Sequence, residues 1–93
     1  FMSILNLIRK SAFESNDFQQ CINTCHANDL IVLMDDGCYN LSHPLLAKVT
    51  CKVNVVAPHA NARSMTAKND EQFISMEQLV KLTFNYKSVV TWQ

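Results

Sequence analysis

Cys21, Cys25, Cys38 and Cys51, with His26, His43 and His59, are the side chains of this 93-residue sequence best suited to nucleophilic attack, proton transfer or metal ligation. A thiol reacts as its thiolate, so a working cysteine needs solvent access and a lowered pKa. Cys21 falls with Phe18, Ile22 and Cys25 at i, i+3, i+4 and i+7, one apolar helix face, which favours packing. It also lies more than a turn inside the helix, where the dipole helps little. Cys38 has the opposite placement, directly after Gly37 and beyond the carboxyl end of an apolar run. Its neighbours Asp35 and Asp36 would raise its pKa, not lower it. Cys25 and Cys51 read as core fillers, and reduced thiols are expected throughout.

A zinc site could in principle draw on Cys21, Cys25, His26, Cys38 and His43, but the spacing argues against it. Adjacent helical residues such as Cys25 and His26 point about 100° apart, and no Cys-x-x-Cys arm is present. No metal and no cofactor is therefore expected. His43 beside Pro44 and His59 beside Pro58 read as polar loop residues able to donate a proton, each without a visible acidic partner. Arg63, Lys68, Lys81 and Lys87 read as a solvated face, and Trp92 reads as an interface anchor in preference to a core lid.

Composition narrows the classes of function. Eight basic and eight acidic residues give a formal net charge of zero, so no overall field draws the chain to nucleic acid or anionic lipid. Gly37 is the single glycine, which excludes a dinucleotide fingerprint or a phosphate-cradling loop. No stretch approaches the ~20 apolar residues of a membrane span, and no signal peptide is visible, so a cytoplasmic protein is expected. Charged residues make up only 17% of the chain, which suggests that a partner covers part of the surface. The length suits one domain over residues 1–93, with Met2 as the natural start and Phe1 outside the argument.

The elements that must position these residues alternate along the chain. Ile4, Leu5, Leu7 and Ile8 form a buried strand within 2–8. A helix follows over 17–27, with Asn16 and Gln19 as a capping box and Asn28 as its left-handed stop. Leu30 to Met34 is a continuous apolar run, expected of a strand covered on both faces, and the Asp35-Asp36-Gly37 turn closes it. Pro44 suits the start of a short helix, Val53, Val55 and Val56 a third strand, and Phe73, Ile74 and Met76 a fourth. A helix should then begin at Ser75 or Met76 and end near Asn85, followed by a last strand through Val89, Val90 and Trp92. This alternation predicts a three-layer α/β/α fold with a mostly parallel sheet of about five strands. Ligands collect beyond the carboxyl ends of such strands, which singles out 35–39, 57–59 and 75–77.

Three strings carry a resemblance: Met2-Ser3-Ile4-Leu5-Asn6-Leu7 with Lys10-Ser11-Ala12-Phe13, the run from Leu30 to Gly37, and Lys81-Leu82-Thr83 to Thr91-Trp92. In order, spacing and total length the chain resembles the DsrH/TusB family of sulfur-relay subunits. The resemblance implies a small three-layer domain that assembles with two related subunits into a heterohexamer. Such a complex passes persulfide sulfur from an upstream donor protein to a downstream acceptor, toward 2-thiouridine at the wobble position of tRNA. The principal sulfur-carrying cysteine of such complexes belongs to a sister subunit, so a structural or docking role is expected here, with no enzymatic activity of the chain by itself. Cys21 matches the position where the sulfur-oxidation branch carries a cysteine, so the alternatives are a carrier role for Cys21 in sulfur oxidation, with Cys38 as runner-up, or an interaction domain unrelated to sulfur.

Overall fold

The computed structural model describes residues 3–67 and 71–92; Met2 of the expected first strand and Lys68 of the expected basic face lie outside them. The organising element is β2 (Leu30–Leu33), whose four residues are all buried. A strand apolar on both faces must lie inside a sheet with a layer on each side. It does so here: β1 (Ile4–Ile8) pairs with it in parallel through Leu5 and Leu30 to Ile8 and Leu33, and β3 (Lys52–Val56) through Leu30 and Lys52 to Leu33 and Val55. β4 (Gln72–Ile74) extends the sheet beyond β3 and β5 (Ser88–Trp92) beyond β1. The order is β4-β3-β2-β1-β5, and all pairs are parallel.

Because side chains alternate along a strand, β2 feeds two separate cores. Ile31 and Leu33 join Ile8, Val55, Phe18, Cys21, Cys38, Leu41 and Ala60 on one face. Leu30 and Val32 join Leu5, Val56, Ile74 and Leu79 on the other. The first face is covered by α1 (Asp17–Thr24), the 3-10 segments Asp35–Ser42 and Pro44–Lys48, and α2 (Ala57–Ala62). Among the described elements, α3 (Met76–Asn85) covers the second. This matches the handedness of parallel crossovers: the chain steps from β1 to β4 with its helices on one face, then returns across the opposite face to set β5 beside β1. The fold is the expected three-layer α/β/α arrangement around a five-stranded parallel sheet.

Local differences from the sequence reading have identifiable causes. α1 stops at Thr24, before the expected Ala27, and Cys25 is extended (φ −77, ψ 156). The buried Asp29 carboxylate accepts the His26 amide at 2.9 Å and the Ile4 amide at 2.9 Å, which pulls the chain out of the helix and ties it to β1. Asn16 makes no side-chain cap, and the Ser15 hydroxyl accepts the Asp17 amide instead. The Asp-Asp-Gly turn continues as a 3-10 helix to Ser42, and α2 occupies part of a stretch whose sequence is ambiguous. At α3 the capping box is complete: Ser75 Oγ accepts the Gln78 amide at 3.1 Å while Gln78 Oε1 accepts the Ser75 amide at 2.8 Å.

Trp92 packs partly buried on the first core and donates its indole N–H to Asn6 Oδ1 at 3.1 Å. It is a lid on the first core, with part of its surface left exposed. A second polar tie fixes the loop after β1. Asn40, fully buried, accepts the Ala12 amide at 2.7 Å and donates to the Lys10 carbonyl at 3.2 Å.

Gly37 sits where that same loop crosses. Its amide lies 2.8 Å from the Met34 carbonyl and 3.1 Å from the Arg9 carbonyl, and a Cβ there would fall 2.0 Å from the Ile8 carbonyl oxygen. The obstacle is backbone at the end of a central strand, which cannot rotate away. Gly37→Ala is therefore expected to destabilise the domain by about 3 kcal/mol, the upper part of the overpacking range, measured by urea unfolding.

Candidate functional site

The carboxyl ends of β1, β2 and β3 open into a hollow of about 350 Å³ lined by Arg9, Lys10, Asp35, Asp36 and Arg63. Asp35 leaves β2 in the left-handed region (φ 50), which aspartate tolerates better than most side chains. Two hydrogen bonds hold it. Arg9 Nε donates to Asp35 Oδ2 at 2.9 Å, His59 Nδ1 accepts the Asp35 amide at 3.0 Å, and the same ring nitrogen lies 3.5 Å from Asp35 Oδ1. A nitrogen that accepts an amide proton carries none of its own, so the His59 ring proton sits on Nε2. Arg63 closes the other side, donating to Asp36 Oδ1 at 3.0 Å and to the His59 carbonyl at 3.1 Å. Three cations against two carboxylates leave one formal positive charge, suited to positioning a polar or anionic group. The hollow contains no thiol.

The two expected nucleophiles lie elsewhere, and apart. Cys21 is fully buried against the sheet among Phe18, Ile31 and their neighbours. Burial, followed by the nearby Cys25, Cys51 and Asp29, pushes its thiol up to about 12. Cys38 does follow the carboxyl end of β2, but the 3-10 turn tucks it inward. It is fully buried, its Sγ lies 3.7 Å from the Leu33 carbonyl, and burial outweighs the opposing Arg63 charge to push it up to about 11, with Asp35 and Asp36 adding to the rise. Neither thiol has the exposure or the thiolate fraction that attack on a persulfide requires.

Cys25 and Cys51, the expected core fillers, are only partly buried, and their sulfurs lie 3.9 Å apart at the opposite end of the sheet. Cys51 lines a cavity of about 560 Å³ with Val49, Lys52, Val53 and Glu71 among others. Burial and the neighbouring Cys25 push its thiol up to about 12.

The histidines are ordered. His43 caps the second 3-10 segment by accepting the Leu45 amide at 3.0 Å, and its ring meets Phe13 edge-on at 4.6 Å. His59 has the acidic neighbour that the sequence did not reveal. Arg63 is engaged with Asp36 beside α2, while Lys81 belongs to α3 on the far face, so they do not form one patch. Among the described residues no group of three or more His, Cys, Asp or Glu side chains is placed to hold a metal ion. Among the described residues no helix is long and apolar enough to cross a membrane. The sequence reading marked 35–39 and 57–59 as informative but missed Arg9 and Lys10, whose only signal was their position just after the first strand.

The buried thiols make stability depend on alkaline pH. An unfolded thiol loses its proton near 9.0, whereas Cys21 and Cys38 keep theirs to about 12 and about 11. The stabilisation is therefore fully present below pH 9 and lost progressively as pH rises through the folded values, because the unfolded chain then binds fewer protons. Urea unfolding at pH 8 and pH 10.5 should show a decline of roughly 1 kcal/mol per buried thiol for each pH unit above 9. Cys21→Ala should make that slope shallower.

Comparison with known proteins agrees with this picture. A search of curated proteins finds no match. The solution structure of protein Tm0979 from Thermotoga maritima superposes with a TM-score of 0.66 at 18% identity, covering 87% of this chain and 92% of that one. At that identity the likeness establishes the fold alone. The family model described as DsrH like protein matches residues 10–89, nearly the whole chain. With the parallel sheet and the span of that match, the chain belongs to the DsrH-like family of sulfur-relay subunits.

Proposed function

We propose that the chain is a docking subunit of a sulfurtransferase complex, assembled with two related subunits as a heterohexamer, and that the carrier thiol resides on a sister subunit. The complex receives persulfide sulfur from a donor protein and delivers it to an acceptor on the way to 2-thiouridine at the tRNA wobble position. The observation that carries this reading is the contrast between thiols and surface. Cys21 and Cys38 are sealed in the core, whereas Met76, Val80 and Phe84, at i, i+4 and i+8 on α3, stand 43%, 51% and 83% exposed. An apolar stripe on the water side of a helix marks an interaction surface more often than an isolated exposed side chain does. Val89 of β5, also exposed, points to the same face because it is level with Leu5 in the sheet.

Two measurements test the proposal. Size-exclusion chromatography of the chain with its two sister subunits should give one larger species. Phe84→Asp should abolish it while changing the stability of the isolated domain by less than about 0.5 kcal/mol, as expected for a surface substitution. Failure of the unmodified chain to assemble would count against the docking role.

The carrier reading is separated by substitution at Cys21. A complex containing Cys21→Ala is expected to assemble and still transfer sulfur. Cys21→Ser should cost about 1–3 kcal/mol, because it buries a hydroxyl among Phe18 and Ile31 without a prepared partner. Loss of transfer in a folded, assembled Cys21→Ala complex, with a gain of about 32 Da on Cys21 of the unmodified chain after persulfide treatment, would assign the carrier role to Cys21 instead.

A further inference from the structure

We propose that Cys25 and Cys51 are a reactive pair that closes into a reversible intramolecular disulfide when the protein meets a small oxidised disulfide. Their sulfurs already face each other at 3.9 Å. A disulfide needs about 2.05 Å, so each sulfur must move by only about 1 Å, within reach of side-chain rotation and slight backbone adjustment. Neither residue is locked inside a regular element. Cys25 is the extended residue that ends α1, and Cys51 lies in the bend immediately before β3. The cavity lined by Cys51 gives that side chain room to turn and admits a small reagent. Cys21, the other thiol near the pair, is fully buried and held in the middle of α1, which excludes it as a competitor.

The chemistry is two successive exchanges. The thiolate of one cysteine attacks a sulfur of the small disulfide RSSR, forming a mixed disulfide and expelling RS⁻. The second cysteine's thiolate then attacks the protein-borne sulfur of that mixed disulfide and expels the other RS⁻. In total, two thiols and RSSR become one protein disulfide and two RSH: the thiols lose two electrons, RSSR gains them, and the two protons pass to the released thiolates. Burial and the neighbouring Cys25 hold the Cys51 thiol protonated at neutral pH, so closure is slow there and accelerates as pH rises through 9; what separates this pair from Cys21 is its exposure and the facing sulfurs. The product ties the end of α1 to the start of β3 and removes the two partly exposed thiols from any exchange with persulfides. It is independent of the docking proposal.

The test uses the full chain and oxidised glutathione at pH 7.5 and pH 9. Peptide mapping without reductant should find Cys25 joined to Cys51, with a loss of about 2 Da from the intact protein, faster formation at the higher pH and full reversal by dithiothreitol. The melting temperature should rise by about 18 °C, as the chain-entropy relation gives for a cross-link over a loop of this length. Cys21→Ala should behave as the unmodified chain, while Cys25→Ala and Cys51→Ala should yield at most a glutathione adduct. Should either variant fold poorly, dibromobimane on the unmodified chain supplies a second readout, since it bridges and fluoresces only where two thiols lie within a few ångströms. Persistent glutathione adducts without the internal bond, a Cys21 to Cys25 link, or links only between molecules would overturn the proposal.

Discussion

Everything in this fold follows from a four-residue strand with no water-facing side. Leu30, Ile31, Val32 and Leu33 are between 0% and 4% exposed, so each face of the sheet at its centre must be covered. Burying such side chains contributes about 1.5–3 kcal/mol apiece. Neighbouring strands supply the edges of that environment and helices supply the two faces. The Asp29 carboxylate just before the strand and the carboxylate and amide of Asp35 just after it are where the chain is pinned as it enters and leaves. One pin joins β1 to the end of α1, and the other joins β1 to α2 through Arg9 and His59.

The two faces are not covered equally, and the inequality divides structure from function. The first face receives α1, two 3-10 segments and α2, and it holds Cys21 and Cys38 with no exposed surface at all. Among the described residues the second is covered by α3, whose inward contact is Leu79, supported by Leu82 and by Tyr86 just after the helix. A single helix cannot spread across five strands, and its own outer side carries an apolar stripe of Met76, Val80 and Phe84. The thickly covered face suits cysteine as a small hydrophobe, while the thinly covered one offers surface to a partner.

Much of this was legible in the sequence because it depends on local pattern. The all-apolar run of β2, the β-branched β3 and the helical spacing of Met76, Leu79, Val80 and Phe84 each carry their own signal, and α3 begins and ends where that spacing places it. What was not legible depends on contacts between distant residues. The early stop of α1 is dictated by Asp29, whose carboxylate reaches both His26 and Ile4. The inward turn of Cys38 comes from a 3-10 helix in place of a simple turn, so a residue beyond a strand's carboxyl end is nonetheless in the core. The polar hollow joins residues from the ends of β1, β2 and α2, and no spacing rule links Arg9 to Asp35 or Asp36 to Arg63.

The pairing of Cys25 with Cys51 is intermediate between these cases. Neither residue's local pattern suggests it, but the strand order does. Cys25 lies a few residues before β2 and Cys51 one residue before β3, and because those strands are parallel neighbours their amino ends are adjacent. Two segments that read as separate core fillers are thereby delivered to one place, at the end of the sheet opposite the charged hollow. The architecture thus keeps its polar positioning groups and its approachable thiols at opposite ends of the strands. A chain that both bound and attacked a sulfur donor would need them together. Their separation, set by the topology and not by any single side chain, adds to the burial of Cys21 and Cys38 in support of the proposed docking role.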